Sequence, residues 1–303
     1  MLLRRSLLAA ASLAALPASA QSKLKAVATF SILGDLLKEI GGERIEFAVL
    51  VGPDSDAHSY QPTPTDARAL AAATLLASNG LGFEGWIDRL AKAAPFKGRA
   101  VVASVGVPTL TATAQAGHSH GHGHSHGHGP DPHCWHDVAL ARRYAATLTQ
   151  GLAAADPANA AFYRERAAAY DARLADLDGW VKSEIARVPA AKRRAIVSHN
   201  SFAYFARAYG ATFHAVRGTT GAEPSARDVA ALIRQARDQK SKALFVETFG
   251  NPAIVTEIAR ETGATLGPRL YSDALSGPGG PAATYEAMMR HNVRAMVEGM
   301  LTN

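Results

Sequence analysis

The sequence predicts an α/β fold built as two α/β lobes that are joined by one long, rigid helix. Two observations lead to this prediction. Short apolar runs rich in β-branched residues alternate with helical patterns in both halves of the chain, which is typical of sheets covered by helices. Between the halves, residues 156–188 carry one uninterrupted helical pattern with no Gly/Ser-rich hinge beside it. With 303 residues, 48% of them hydrophobic, the chain is long enough for two such lobes.

The first twenty residues are interpreted as a signal peptide. Arg4 and Arg5 precede an apolar run that ends in the A-x-A pattern of Ala18 to Ala20, and this order is typical of secretory signals. Residues 1–20 are therefore predicted to be removed, which leaves a periplasmic chain that begins near Gln21. The single cysteine, Cys134, excludes an internal disulfide framework, and no cysteine follows the apolar run to carry a lipid anchor.

Each predicted lobe takes its strands and helices from one half of the mature chain. In the N-terminal lobe, residues 21–155, the strand-like runs are 26–30, 45–51, 74–79 and 99–104, and the helical patterns are 32–40, 83–94 and 138–155. In the C-terminal lobe, residues 189–303, the strand-like runs are 194–199, 211–216 and 243–248, and the helical patterns are 201–210, 225–240, 251–263 and 282–300.

The linking helix is predicted over residues 156–188. Asp156 suits its N-cap and Pro157 its first helical position, while Pro189 ends it. Its apolar residues recur on one helical face, and they are Phe162, Tyr170, Leu174, Leu177, Val181, Ile185 and Val188. A single helix of this length spans about 45–50 Å and indicates a stiff connection. The three tryptophans are assigned to the core and to packing between elements, and they are Trp86, Trp135 and Trp180.

A histidine tract interrupts the N-terminal lobe. It consists of Gly, His and Ser, so it has nothing to bury, and residues 115–130 are expected to form a disordered surface loop. Six of the twelve histidines stand there at every second position, namely His118, His120, His122, His124, His126 and His128.

Three other histidines follow predicted strands, as does one aspartate. His58 and His133 lie in loops of the first half, His199 ends a strand of the second half, and Asp273 lies in the segment LYSDALSG. Open α/β sheets place their sites at the carboxyl ends of strands. Three imidazoles and one carboxylate form a closed tetrahedral set for a borderline metal such as zinc. His214 and His291 are assigned no role in this set.

The chain resembles the metal-binding receptors of ABC importers, the cluster A-I or ZnuA/TroA-like family. The segments that carry the resemblance, spread over nearly the whole mature chain, are AHSYQPTPTD, DPHCWHD, SHNSFAYFARAYG, TTGAEPSARDV, ALFVETF and YSDALS. The resemblance implies two α/β lobes, one long helix and a metal site between the lobes. It also implies that the ligands are His58, His133, His199 and Asp273, two from each lobe.

Further residues match or depart from the pattern of the family. Glu223 and Glu247 match family positions and are candidates for hydrogen bonds behind the ligands, although a purely structural role is the preferred interpretation. His136 stands where the family often has Leu. It is interpreted as a partner of a ligand or as a surface residue, rather than as a competing fifth ligand. Ala57 and Gln61 replace the Pro and Glu that are usual beside the first ligand.

The resemblance favours zinc. With His at the third ligand position, the site resembles those of zinc receptors, whereas manganese receptors frequently have Glu there. Imidazole ligands also suit zinc better than manganese, which prefers oxygen. Mn²⁺ or another divalent metal stays the alternative, and copper and nickel accept the same ligands. The histidine tract is interpreted as a flexible collector that raises the local metal concentration near His133. The alternative is a spacer that binds metal incidentally.

The function predicted from these observations is capture of Zn²⁺ in the periplasm and its delivery to the membrane permease of an ABC transporter. A monomer is expected, and a periplasmic metallochaperone is a candidate second partner. The net charge of +6, or +4 without Arg4 and Arg5, is too mild to indicate nucleic-acid binding. A zinc hydrolase is disfavoured because four protein ligands leave no position for water. A zinc buffer or chaperone without a permease, and a receptor for haem or a metal chelate, remain alternatives.

Overall fold

The protein is described by a computed structural model that covers residues 22–112, 129–219, 225–247 and 252–303. The predicted signal peptide, the six histidines of the tract and Glu223 lie outside these residues. Within the described part, the chain forms two parallel sheets with helices packed on them, which confirms the predicted two-lobe α/β architecture. No helix of the described part is long and apolar enough to cross a membrane.

The N-terminal lobe contains a sheet in the order β2-β1-β3-β4, in which every described pairing is parallel. Its strands are β1 (Leu24–Phe30), β2 (Ile45–Val51), β3 (Leu75–Ser78) and β4 (Arg99–Val102). Its helices are α1 (Ser31–Gly41), α2 (Pro64–Ala72), α3 (Ile87–Ala93) and α4 (Val138–Ala155). β1 is buried along almost its whole length because it is a central strand that helices cover on both faces.

Helix α2 has no counterpart in the sequence prediction. It begins with Pro64 at its first position, and Thr63 and Asp66 form a capping box in which each side chain accepts a hydrogen bond from the other's backbone N–H. Leu70 is its only buried residue. The helix therefore lacks the apolar periodicity that marks the other helices in the sequence. Its N-terminal capping residues lie in a Pro-rich segment whose composition is typical of a loop.

The C-terminal lobe repeats the arrangement with a parallel sheet in the order β6-β5-β7-β8. Its strands are β5 (Arg194–His199), β6 (Thr212–Arg217), β7 (Ala243–Leu244) and β8 (Thr265–Leu266). Its helices are α6 (Ala203–Tyr209), α7 (Ala226–Asp238), α8 (Pro252–Thr262) and α9 (Tyr285–Leu301). The strand predicted over 243–248 is thus shorter than expected, because beyond Leu244 the backbone continues only to an isolated bridge between Glu247 and Leu270.

The long helix α5 (Ala160–Ala186) joins the two lobes. It packs against α1 and α4 of the first lobe and α9 of the second. A 3₁₀ turn, Pro157–Asn159, precedes it, so the predicted cap Asp156 stands before this turn and Asn159 is the N-cap of α5. There the Asp156 carboxylate accepts hydrogen bonds from the side chains of Asn159 and Tyr163.

The buried face of α5 differs from the prediction at its first turn. Tyr163 is buried there, whereas Phe162 is half-buried beneath the guanidinium groups of Arg44 and Arg166. The remaining predicted residues of this face are buried as expected, namely Tyr170, Leu174, Leu177, Val181, Ile185 and Val188. The continuous core that they enter includes residues of both lobes.

Two of the three tryptophans are core residues. Trp86 and Trp135 are fully buried. Trp180 is half-buried on α5, where the guanidinium groups of Arg290 and Arg294 lie over its ring at 4.8 and 5.7 Å. Trp180 therefore contributes to packing between elements rather than to the fully buried core, since its ring covers the surface between α5 and α9.

Candidate metal centre

The four predicted ligands lie at the carboxyl-terminal edges of the two sheets. His58 lies in the loop between β2 and α2, and His133 directly precedes the 3₁₀ turn Cys134–His136 that leads into α4. His199 is the last residue of β5, and Asp273 lies in the segment between β8 and α9. The fold therefore brings two side chains from each lobe to the junction of the lobes, as expected for open α/β sheets.

The four side chains point one ligand atom each toward a common centre, and these atoms all lie within 4.8 Å of one another. His133 Nε2 is 3.4 Å from His58 Nε2 and 3.4 Å from Asp273 Oδ1. His199 Nε2 is 3.0 Å from Asp273 Oδ2. Bonds of about 2.0–2.1 Å around a tetrahedral zinc ion place the ligand atoms about 3.3–3.4 Å apart. The three distances above are close to this spacing, while His58 Nε2 lies 3.8 Å from Asp273 Oδ2.

The site is nearly closed to solvent. The side chains of His133, His199 and Asp273 are buried, while His58 keeps 13% of its side-chain surface exposed. The ring of Phe83 packs against His58 with a centroid separation of 4.6 Å. The backbone N–H of His58 donates to Asp56 Oδ1 at 2.8 Å, which fixes the loop on which His58 stands.

His133 is oriented by Asp131, a residue that the sequence prediction missed. Asp131 Oδ1 accepts a hydrogen bond from the backbone N–H of His133 at 2.9 Å, and lies 2.7 Å from its Nδ1. Donation from Nδ1 leaves the lone pair of Nε2 directed at the centre. The available signal was the spacing, since an Asp two residues before His133 can accept from that backbone N–H in an Asx turn.

His199 is oriented by Glu247 in the same way. Glu247 Oε2 lies 2.6 Å from His199 Nδ1, and Oε1 accepts from the backbone N–H of His199 at 2.9 Å. The hydroxyls of Ser198 and Ser201 donate to the same carboxylate. Glu247 thus contacts a predicted ligand directly, which corrects the preferred interpretation of this residue as purely structural.

The protonation of the site follows from burial and from its carboxylates. Burial lowers the pKa of His58 to about 4, against the opposing charge of Asp273. Burial also opposes charge on His133 and His199, but their carboxylate neighbours outweigh it and hold both pKa values above the ordinary range. Burial would raise the pKa of Asp273, yet His199 and His133 together hold it well below its usual value. The site therefore favours positive charge at its centre, which a divalent cation supplies.

His136 is neither a surface residue nor a hydrogen-bonding partner of the four. Its side chain is fully buried, its ring contacts Phe202 at a centroid separation of 4.5 Å, and neither ring nitrogen has a hydrogen-bond partner among the described residues. Burial lowers its pKa to about 3, so it is neutral. His214 and His291 lie away from the centre, and Nε2 of His291 bonds the carbonyl oxygen of Arg269 at 2.8 Å.

Comparison with known proteins agrees with this architecture. Residues 26–299 match the family described as ZnuA, zinc-uptake complex component A, periplasmic. The manganese-binding lipoprotein MntA of Halalkalibacterium halodurans is 31% identical over 278 residues, which cover 91% of this chain and 88% of that relative.

Two solved structures share the fold over nearly their whole length. The periplasmic zinc binding protein TroA from Treponema pallidum has a TM-score of 0.82 at 27% identity, and the alignment covers 92% of this chain and 99% of that one. The Mn-bound periplasmic metal binding protein from Candidatus Liberibacter asiaticus has a TM-score of 0.81 at 27% identity, with 92% and 100% covered. The chain therefore belongs to the ZnuA/TroA-like family of periplasmic metal-binding receptors of ABC importers.

Proposed function

We propose that this protein captures Zn²⁺ in the periplasm and delivers it to the membrane permease of an ABC importer. The observation that carries the proposal is the convergence of three imidazole Nε2 atoms and one carboxylate at the junction of the lobes. His58, His133, His199 and Asp273 are the proposed ligands. Asp131 and Glu247 hold the inner imidazoles in the tautomer that a metal requires.

Zinc is favoured over manganese by the chemistry of the donors. Three neutral nitrogens and one carboxylate oxygen suit a borderline ion in a tetrahedral shell, whereas Mn²⁺ prefers a shell dominated by oxygen. Mn²⁺ is the alternative, and its support comes from the names of relatives such as MntA and from the Mn-bound structure of similar fold. Asp273 also supports this alternative, because both of its carboxylate oxygens face the centre and could bind one Mn²⁺ ion together.

The arrangement supports transport rather than catalysis. A catalytic zinc ion keeps a position open for water, whereas here four protein groups converge and three of them are buried. We propose a monomer that presents its surface to the permease. Metal bound by ligands from both lobes would stabilise their closed arrangement, and release would follow when a loop ligand, His58 or Asp273, is drawn away.

The test is competitive metal binding by the 21–303 chain with residues 117–129 deleted. We expect one tightly held Zn²⁺ that excess Mn²⁺ does not displace and that is lost in His199→Ala. The His214→Ala variant is the control, since His214 lies outside the centre. Preference for Mn²⁺ would select the alternative metal, and failure of the deletion protein to bind any metal tightly would overturn the proposed site.

The histidine tract is proposed to collect metal for this site. A single imidazole offers one ligand, so the affinity of a tract histidine should be lower than that of the four converging groups at the interlobe site. Zinc capture by the full chain and by the deletion protein should differ when zinc is scarce and converge when it is abundant. Equal capture rates under scarcity would indicate that the tract is only a spacer.

A further inference from the structure

Tyr204 connects the two lobes immediately behind the metal centre. It stands on α6 of the C-terminal lobe, and its side chain is fully buried. Its hydroxyl accepts a hydrogen bond from the backbone N–H of Leu110 at 2.9 Å and donates one to the backbone carbonyl of Asp131 at 2.8 Å. Both partners belong to the N-terminal lobe, so this one hydroxyl bridges two segments of the opposite lobe.

The two bridged segments form a short antiparallel pair. The N–H of Asp131 donates to the carbonyl of Leu110 at 2.7 Å, the N–H of Ala112 donates to the carbonyl of Gly129 at 2.8 Å, and Thr111 pairs with Pro130. We call residues 110–112 and 129–131 the neck. The Tyr204 hydroxyl lies at the end of the neck where the chain continues to His133.

Asp131 is the residue through which this bridge reaches the metal centre. Its carbonyl oxygen accepts from Tyr204, and its carboxylate holds both the backbone N–H and Nδ1 of His133. The direction of His133 Nε2 therefore depends on where the backbone of Asp131 is held. Tyr204 is carried by the lobe that also supplies His199 and Asp273, so movement of that lobe would remove two ligands and the support of a third together.

We propose that Tyr204 is a positioning residue that couples the separation of the lobes to the release of metal from His133. The inference rests on the proposed function, because it concerns the lifetime of metal in the interlobe site. While the lobes are in contact, the hydroxyl holds Asp131, and Asp131 keeps His133 directed at the metal. When the lobes part, the hydroxyl withdraws and His133 loses its orientation in the same event.

The test compares Tyr204→Phe with a matched control on the same helix, Tyr209→Phe. The Tyr209 hydroxyl also contacts the neighbouring lobe, since it accepts from the backbone N–H of Val138 at 3.2 Å, and it donates to Asp178 on α5 at 2.9 Å. It has no contact with Asp131 or His133. Both variants remove one buried hydroxyl from α6, but only Tyr204→Phe touches the support of a ligand.

The measurement is the dissociation rate of Zn²⁺ from the full-length protein into excess chelator, together with the melting temperature of the metal-free proteins. We expect Tyr204→Phe to release zinc about three- to tenfold faster than the unmodified protein, as for the loss of one or two hydrogen bonds. Tyr209→Phe should stay within about twofold, while both melting temperatures fall by similar amounts. Equal release rates for the two variants would overturn the inference.

A double-mutant cycle with Asp131→Ala tests the route of the coupling. Asp131→Ala keeps the carbonyl that Tyr204 contacts but removes the carboxylate that orients His133. We expect Tyr204→Phe to add no further acceleration in this background, whereas additive effects would show that Tyr204 does not act through Asp131. If the unmodified protein does not bind zinc tightly, or if His199→Ala binds it equally well, the proposed function fails. If zinc binds tightly and this binding is lost in His199→Ala, the double-mutant cycle decides only the role of Tyr204.

Discussion

Glu247 fixes His199 at two points, because one of its carboxylate oxygens lies 2.6 Å from the ring Nδ1 and the other accepts from the backbone N–H of the same histidine at 2.9 Å. A glutamine at this position would keep one acceptor oxygen, but its amide group would face a donor. We expect Glu247→Gln to lower zinc affinity about 10- to 100-fold, as for other supports behind metal ligands. Competition with a chelator of known affinity measures this loss.

Asp35→Asn is the matched control for this change. Asp35 is also a buried carboxylate, and its Oδ2 accepts from the backbone N–H of Tyr285 at 2.8 Å, away from the four converging groups. Its replacement should leave zinc affinity unchanged. Equal losses of affinity in the two variants would contradict a specific role for Glu247 in orienting His199.

Metal binding should release protons at neutral pH. The pKa values of His133 and His199 lie above the ordinary range in the metal-free protein, because their carboxylate neighbours outweigh the effect of burial. A protonated ring must lose its proton to bind metal, so zinc affinity should rise with pH as these two imidazoles deprotonate. Titration calorimetry at pH 7 in buffers of different ionisation enthalpy counts the protons released per metal ion.

His58 provides the internal comparison for that experiment. Burial lowers its pKa to about 4, so it is already neutral at pH 7 and has no proton to give up. His58→Ala should therefore release as many protons per bound metal as the unmodified protein, although it binds more weakly. Glu247→Gln, which keeps the imidazole and still binds metal but removes the charge that raises the pKa of His199, should release fewer. The reverse order would show that the carboxylates do not control protonation of the site.

Asp35 should cost the folded protein stability above pH 6. Burial raises its pKa to about 6, so between about pH 4 and 6 the folded state binds more protons than the unfolded state, and the free energy of unfolding falls as pH rises. We expect Asp35→Asn to be more stable by about 1–3 kcal/mol at pH 7.5 and to lose this advantage near pH 4. Denaturant titrations at both pH values measure it. A variant that is less stable at pH 7.5 would contradict the prediction.

His136 should also destabilise the metal-free protein. Its buried ring has no hydrogen-bond partner among the described residues, and its pKa of about 3 means that below pH 6.5 the unfolded state takes up a proton that the folded state does not. Stability therefore falls as pH drops through 6.5. We expect His136→Leu to raise the free energy of unfolding by about 1–3 kcal/mol at pH 7, and by more at pH 5.

Zinc affinity separates this interpretation from a role as ligand. His136→Leu should bind zinc within about threefold of the unmodified protein, because the four converging groups do not include His136. Denaturant titrations of chelator-treated protein give its stability, and chelator competition gives its affinity. Loss of affinity, or of stability, would mean that His136 has a partner in some state of the protein.

Much of the fold could be predicted because its elements carry strong local patterns. The buried face of α5 repeats Leu174, Leu177 and Val181 at helical spacing, and β5 is an apolar run that ends at His199. Helix α2 was not predicted, because its single buried residue gives no apolar periodicity in the sequence. Phe162 was wrongly placed on the buried face, because the sequence does not show that the guanidinium groups of Arg44 and Arg166 lie over its ring.

At the metal centre, sequence reasoning found the groups that converge but not all of the groups that hold them. His58, His133, His199 and Asp273 follow strands or lie between elements, and strand ends are where sites form. The contact between Asp131 and His133 depends on a tight turn, which the short spacing only permits. Tyr204 meets Asp131 across 73 residues of sequence, so only the packing of the two lobes reveals it.

The partial exposure of His58 bears on how the ion can leave. Within the described part of the chain, the other three converging side chains are buried, and His58 alone keeps 13% of its surface open. While the lobes are in contact, an incoming ligand would therefore approach from the His58 side and substitute for the protein groups one bond at a time. Exchange by this route is associative, so its rate should grow with the concentration of the acceptor. The metal ion would pass from the protein to the acceptor without first becoming a free hydrated ion.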